Sequence, residues 1–123
     1  MKRLFCLLSA LALLQPVHAA QPPQRYLALT FDDGPSGELT EQLLEGLAAR
    51  QVRVTFFVCG YRVEEFPDTL RHIAADGHEI GLHSSRHDYM QKMDYAAALQ
   101  DLTSCMQTVE DCCGVRARLF RPP

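Results

Sequence analysis

Two adjacent carboxylates and a pair of imidazoles are the side chains whose types and spacing could do chemistry together. Asp32 and Asp33 follow the apolar run 26–31 and precede Gly34-Pro35, so they read as the end of a buried strand entering a turn. Side chains alternate along extended backbone, so the two acids are expected to point apart, one holding a metal while the other faces a reacting group. His83 and His87 are four residues apart. If the chain turns helical after the apolar run 79–82, both imidazoles share a face and can reach one ion. Two histidines and one aspartate leave positions open for water and substrate, which is how a catalytic metal is held rather than a structural one.

Other readings of the same residues are weaker. Asp-Asp-Gly-Pro alone is what many turns use, and either histidine alone would be a strand-end or solvated residue. Ser84 and Ser85 raise a serine hydrolase with His83 or His87 as base, but no Gly-x-Ser-x-Gly surrounds them. Two histidines and a carboxylate also hold iron in oxygenases; the paired aspartates favour hydrolysis. His72 and His78 have no such partners and are expected at the surface.

The elements that must position these groups alternate between short apolar runs and amphipathic ones. Strands are expected over 26–31, 52–58 and 79–83, with a fourth at 118–121. Helices are expected over 39–50, with Leu39, Leu43, Leu44 and Leu47 on one face, and over 67–76, with Leu70, Ile73 and Ala74. A longer helix over 94–112 carries Tyr95, Leu99, Leu102, Met106 and Val109 as the stripe that packs on a sheet, and Gly114 is placed to end it. Repeated βα units predict an α/β fold with parallel strands, right-handed crossovers and functional groups at the strands' carboxyl ends. Asp32, Asp33 and His83 fall at such ends.

The amino-terminal stretch reads as an address rather than as part of the fold. Lys2 and Arg3 form a basic start, residues 4–14 an apolar stretch, and Val17-His18-Ala19 a small-residue cleavage site. Residues 1–19 are therefore expected to be a secretory signal peptide and 20–25 a lead segment, with the product secreted or periplasmic. The apolar stretch falls short of the roughly 20 residues of a membrane span, so no stable span is expected after cleavage. Loss of Lys2 and Arg3 takes the formal net charge from −3 to −5, and without a basic run no nucleic-acid partner is expected. Export would put Cys59, Cys105, Cys112 and Cys113 in an oxidising compartment, where four thiols allow three complete pairings. Cys59 reads equally well as a small buried residue. The spacing lacks the paired CxxC halves of a four-cysteine zinc site.

Three strings resemble the first three motifs of the polysaccharide deacetylases, the NodB-homology domain of carbohydrate esterase family four. They are Thr30-Phe31-Asp32-Asp33-Gly34, His83-Ser84-Ser85-Arg86-His87 and Arg121-Pro122-Pro123, in that order. Val54-Thr55-Phe56-Phe57-Val58 and Gly77-His78-Glu79-Ile80-Gly81 between them are also similar to that family. The resemblance implies a distorted (β/α) barrel and a metal-dependent hydrolase that removes acetyl groups, N-acetyl or O-acetyl, from a polysaccharide. Candidate substrates are chitin oligomers, peptidoglycan, poly-N-acetylglucosamine and xylan. It implies that Asp33, His83 and His87 hold a divalent ion, zinc or else cobalt, nickel or manganese, that Asp32 is the base, and that Arg121 pairs with and orients it. Leu82 stands where the family often has an asparagine, which predicts the loss of one hydrogen bond orienting the site. About 104 residues follow the expected cleavage point, whereas a closed barrel takes about 200 or more. Residues 26–123 are therefore expected to be the amino-terminal half of the domain. The alternative is a truncated, inactive remnant with at most metal or carbohydrate binding, whose open sheet edge would invite association.

Overall fold

Phe56, Phe57 and Val58 are buried in succession, without the alternation of a half-exposed strand. Such a run belongs to a parallel sheet covered on both faces. In the computed structural model, which describes residues 25–123, this strand, β2 (Thr55–Val58), lies between β1 (Thr30–Gly34) and β3 (Glu79–Leu82). Both neighbours run parallel to it. The expected signal peptide, Cys6 and nearly all of the lead segment lie outside the described residues.

The helices are α1 (Glu38–Ala48), α2 (Gly60–Glu65), α3 (Pro67–Ala75) and α4 (Tyr95–Cys113), with a short 3-10 turn at Met90–Lys92. The order is thus β1-α1-β2-α2-α3-β3-α4, an α/β arrangement with crossovers between parallel strands. Proline opens α3, where its missing N–H is not needed. The Asp94 side chain caps α4 by accepting the Ala97 N–H at 2.8 Å, and Gly114 ends it as expected. The core joins Leu44 and Leu47 of α1, Phe56 and Val58 of β2, Leu70 and Ile73 of α3, Ile80 and Leu82 of β3, and Cys105 and Val109 of α4.

Several expected boundaries move, for physical reasons. β1 starts at Thr30 rather than at 26, with Tyr26 84% and Leu27 91% exposed. Its partner begins at Thr55, opposite Thr30, so the residues upstream have no strand beside them. Val52 is taken by the exit of α1, its N–H donating to the Leu47 carbonyl at 3.1 Å. α2 is an element the periodicity did not predict. The expected stripe of α4 holds toward its carboxyl end, where Val109 is fully buried and Met106 packs on the core, but Tyr95 and Leu99 are exposed and Cys105 is a fully buried position outside it. The fourth strand is reduced to one parallel bridge, Leu82 to Phe120. It is held by Leu82 N–H to the Leu119 carbonyl at 2.9 Å and Arg121 N–H to the Leu82 carbonyl at 3.0 Å.

Candidate metal centre

Phe31 pairs with Phe56 but Gly34 pairs with Val58, so β1 carries one extra residue across the two aspartates. This β-bulge re-aims the side chains. Asp33 takes a left-handed backbone, φ 66°, so the strand alternation expected from the sequence is not what separates the two acids. Its Oδ1 lies 3.1 Å from Nε2 of His83 and 3.1 Å from Nε2 of His87. Asp32 turns instead to Arg121, whose Nη1 lies 2.6 Å from its Oδ1.

The histidine segment is a loop, not the helical turn expected from the four-residue spacing. Ser84 and His87 both have positive φ, 76° and 62°, and the loop folds back so that the two rings meet edge to face, 5.2 Å between centroids. Backbone groups fix it from the strand side. His83 N–H donates to the Val58 carbonyl at 2.9 Å, and the first N–H groups of α2, from Gly60 and Tyr61, donate to the carbonyls of Ser84 at 3.1 Å and Ser85 at 2.8 Å. A Cβ on Gly60 would sit 3.1 Å from the Ser85 carbonyl oxygen, so a side chain there would press the loop back by a few tenths of an ångström. From the helix side, the Asp101 carboxylate accepts the Ser85 N–H at 3.0 and 3.1 Å and faces the Ser84 hydroxyl at 3.5 Å. That hydroxyl accepts the His87 N–H at 3.0 Å.

His83 is oriented by its other nitrogen. Nδ1 lies 2.7 Å from the Arg121 carbonyl oxygen; a carbonyl can only accept, so Nδ1 carries the proton and Nε2 presents its lone pair to Asp33. That bond comes from the backbone of residue 121 and uses no side chain at position 82. Leu82 itself is a core residue.

Asp33, His83 and His87 offer three ligand atoms within 4.8 Å of one another. Two donors at about 2.1 Å from one ion, at tetrahedral or octahedral angles, are about 3.0–3.4 Å apart. The measured 3.1 Å separations fit that, and the donor set of two imidazoles and a carboxylate suits a divalent metal.

Arg121 is held in three ways. It reaches Asp32, donates to Thr30 Oγ1 at 2.9 Å and stacks over the Phe57 ring at 4.1 Å. Phe57 can lie flat there because β3 has glycine opposite it: a Cβ on Gly81 would come within 2.6 Å of the ring. A chain of contacts therefore runs from Gly81 through Phe57 and Arg121 to Asp32. The turn after β1 is tied by Arg62, whose Nε donates to the Pro35 carbonyl at 3.1 Å. A cleft of about 450 Å³ opens beside the two aspartates, with Ser36, Tyr61 and Arg62 on its wall.

The structure thus brings all five sequence-predicted residues, Asp32, Asp33, His83, His87 and Arg121, to one end of the sheet. It removes Ser84 as a nucleophile, since that side chain is fully buried and bonded within its loop. It also moves His78 from the expected surface to the interior, where Nδ1 accepts the Val54 N–H at 3.2 Å and the ring packs edge-on against Phe56. Asp101, Phe57 and the start of α2 were missed. For Asp101 a signal existed: it lies one turn before Cys105 and two before Val109, on the buried line of α4. Cys59, Cys105, Cys112 and Cys113 are all free. The Cys59 thiol points to the His83 carbonyl at 3.5 Å; burial pushes it up to about 12 and pushes Cys105 up to about 11.

A family model described as polysaccharide deacetylase matches residues 19–123. The chain is 38% identical over 102 residues to the peptidoglycan-N-acetylmuramic acid deacetylase PdaC of Bacillus subtilis, covering 83% of this chain and 22% of that protein. The solved structure of peptidoglycan deacetylase PdaC from Bacillus subtilis superposes with a TM-score of 0.79 at 38% identity, over 84% of this chain and 51% of that one. A chitooligosaccharide deacetylase of Rhizobium leguminosarum bv. trifolii is 35% identical over 98 residues, 80% of this chain and 46% of that protein. A family 4 acetyl xylan esterase from Clostridium thermocellum, solved with a cobalt ion, gives a TM-score of 0.74 at 35% identity, over 78% of this chain and 47% of that one. The chain spans less than half the length of these curated relatives.

Proposed function

The chain belongs to the polysaccharide deacetylase family, and from that membership we propose a metal-dependent hydrolase that removes acetyl groups from an exported or cell-wall polysaccharide. The observation that carries the reading is the convergence of Asp33 Oδ1 on His83 Nε2 and His87 Nε2 at 3.1 Å each. These three residues would hold the ion. Zinc is the first choice for two imidazoles and a carboxylate; cobalt, nickel and manganese suit the same donors. The cobalt found in the similar acetyl xylan esterase is in keeping with that set.

When bound, such an ion lowers the pKa of its water toward about 7 and polarises the acetyl carbonyl. The chain's own residues do the rest. His83, with its proton committed to the Arg121 carbonyl, keeps Nε2 as a donor of electrons. Asp32 would be the base. Its Oδ1 is occupied by Arg121 at 2.6 Å, which orients the carboxylate and leaves Oδ2 to accept the proton of an attacking water. The bulge in β1 supports this division of labour, since it sends one aspartate to the histidines and the other to the arginine.

N-acetylated glycans of the peptidoglycan and chitooligosaccharide kind are the substrates that the relatives' names support. The three parallel strands and the bridge at Phe120 would form part of a distorted (β/α) barrel, with residues 26–123 in the deacetylase domain. Residues 1–19 would direct export to the periplasm or exterior, with 20–25 as a lead. Among the described residues no helix is long and apolar enough to cross a membrane.

The test is metal content and acetate release together. The full chain is expected to bind zinc stoichiometrically and to lose it in Asp33→Ala and in His87→Ala, with both variants still folded because these side chains are 64% and 43% exposed. A protein carrying the chain is expected to release acetate from N-acetylglucosamine oligomers and to lose the activity in Asp32→Asn. Zinc binding that survives in Asp33→Ala would sink the ligand assignment.

A further inference from the structure

The loop that presents His87 has a backbone that its residues do not choose for themselves. Ser84 and His87 are both non-glycine residues at positive φ, a region that persists in such residues only where the surroundings over-determine it. The group placed to do so is Asp101 on α4. Both of its carboxylate oxygens take the Ser85 N–H, at 3.0 and 3.1 Å, and Oδ1 faces the Ser84 hydroxyl at 3.5 Å. Ser84 Oγ in turn accepts the His87 N–H at 3.0 Å, so the contacts run from a helix carboxylate to the backbone of a candidate ligand. Ser84 is fully buried, and no water is needed to complete the run.

We propose that Asp101 is a positioning residue of the metal centre, one that touches neither ion nor substrate but fixes His87 through Ser84 and Ser85. The inference rests on the metal reading given above and adds to it a dependence on α4. The opposite wall of the loop is held by backbone donors of Gly60 and Tyr61, with the Cys59 thiol on the His83 carbonyl at 3.5 Å, whereas the Ser85 N–H is taken by the Asp101 side chain. Asp101 is therefore the place where the loop can be released without cutting the sheet. With the carboxylate gone, the Ser85 N–H loses its acceptor, the Ser84 hydroxyl loses its fixed orientation, and His87 is free to leave the position opposite Asp33. The effect works through hydrogen-bond geometry rather than through negative charge near a cation.

The experiment is a titration of the full chain with cobalt, followed by its visible absorption, in wild type, Asp33→Ala, Asp101→Ala, Asp101→Asn and Ser84→Ala. Thermal unfolding of each metal-free variant runs alongside. Asp101→Ala and Ser84→Ala are expected to weaken cobalt binding by about 10- to 100-fold, the usual loss when a group behind a metal ligand is removed. Asp101→Asn, whose amide oxygen still accepts the Ser85 N–H, should recover most of that affinity. Should Asp101→Ala fail to fold, Asp101→Asn and Ser84→Ala carry the comparison. Wild-type affinity in both Asp101→Ala and Ser84→Ala, with binding lost in Asp33→Ala, would overturn this inference alone. Asp101→Asn as weak as Asp101→Ala would also overturn it, in favour of charge. No cobalt binding by wild type would overturn the metal reading and this inference with it.

Discussion

On the β1 side of the site Asp33 is 64% exposed and faces the two histidine nitrogens across from it. On the β3 side His83 is 5% exposed, Ser84 is fully buried, and the loop they begin is bonded to α2, α4, β2 and the segment at residue 121. The difference lies in what each half needs in order to exist. The Nε2 of His83 presents a lone pair, so the exposed carboxylate of Asp33 gains no hydrogen bond from it, and its place is set by the bulge in its strand. The histidine half is tied into the core, His83 through β2 and the loop beyond it through α2 and Asp101 of α4. Such a site has a rigid wall and an adjustable ligand, and preorganisation of the wall lowers the cost of binding.

The largest test of this contrast uses the thiols. Cys59 and Cys105 lie behind the histidine loop, fully buried, whereas Cys112 and Cys113 are half-buried on the outer end of α4. If the wall is closed, a small alkylating reagent at neutral pH should modify Cys59 and Cys105 only through unfolding. That makes them slower than an open thiol by about a thousandfold or more, given folding constants of ~10³–10⁸ for small domains. Mass spectrometry of partly alkylated protein reads this directly. Equal modification of all four would mean that the loop opens freely and that the two halves do not differ.

Gly81→Ala tests the exposed half at the point where it depends on the sheet. The new methyl group would come within 2.6 Å of the Phe57 ring, and overpacking of this kind costs about 1–3 kcal/mol. Phe57 carries Arg121, and Arg121 carries Asp32, so the displaced ring should loosen that pair as well. Denaturant midpoints are expected to fall, and Phe57→Leu added to Gly81→Ala should restore part of the loss because the clashing atoms are the ring's own. A double variant weaker than either single would mean that Phe57 is not the partner that moves.

Much of this was legible in the sequence, and the failures have one cause. The strings around Asp32-Asp33 and His83–His87 indicated the residues, and the βα alternation indicated the end of the sheet at which they meet. What periodicity could not give was direction. Asp33 and His87 adopt left-handed backbones that a hydrophobic period does not signal, though both residue types enter that region more readily than most, and the groups that hold them there come from elsewhere in the chain: β2 for the bulge, Asp101 and the start of α2 for the loop. The stripe of α4 held only toward its carboxyl end, at Met106 and Val109. Tyr95 and Leu99 are apolar enough to suggest a stripe, but the surface that α4 covers selects Cys105 and Val109. α2 has six residues and begins with glycine, too short for a period to be read.

The smallest effect carries the same contrast to two histidines away from the site. His72 is exposed, and its charged form is favoured first by the hydrogen bond with Glu41 and then by the nearby charges of Glu41, Asp76 and Glu45, so its pKa lies above 6.5. His78 is buried, and desolvation, with Arg53 and His72 adding to it against the pull of Asp76, keeps its pKa below 6.5. The signs then oppose. A raised histidine contributes stability that is fully present below about pH 6.5 and fades as pH rises through its folded value; a depressed one contributes stability present above about pH 6.5 and lost as pH falls through its folded value. Unfolding free energies from pH 5 to 8 should show the gap between wild type and His72→Gln closing toward alkaline pH, by no more than about 1 kcal/mol for an exposed pair. The gap for His78→Gln should widen instead, because wild type gains stability as the buried ring no longer resists protonation. Gaps that moved in the same direction would mean that burial and carboxylate pairing are not the forces separating the two environments, and the contrast between the halves of the site would lose its physical basis.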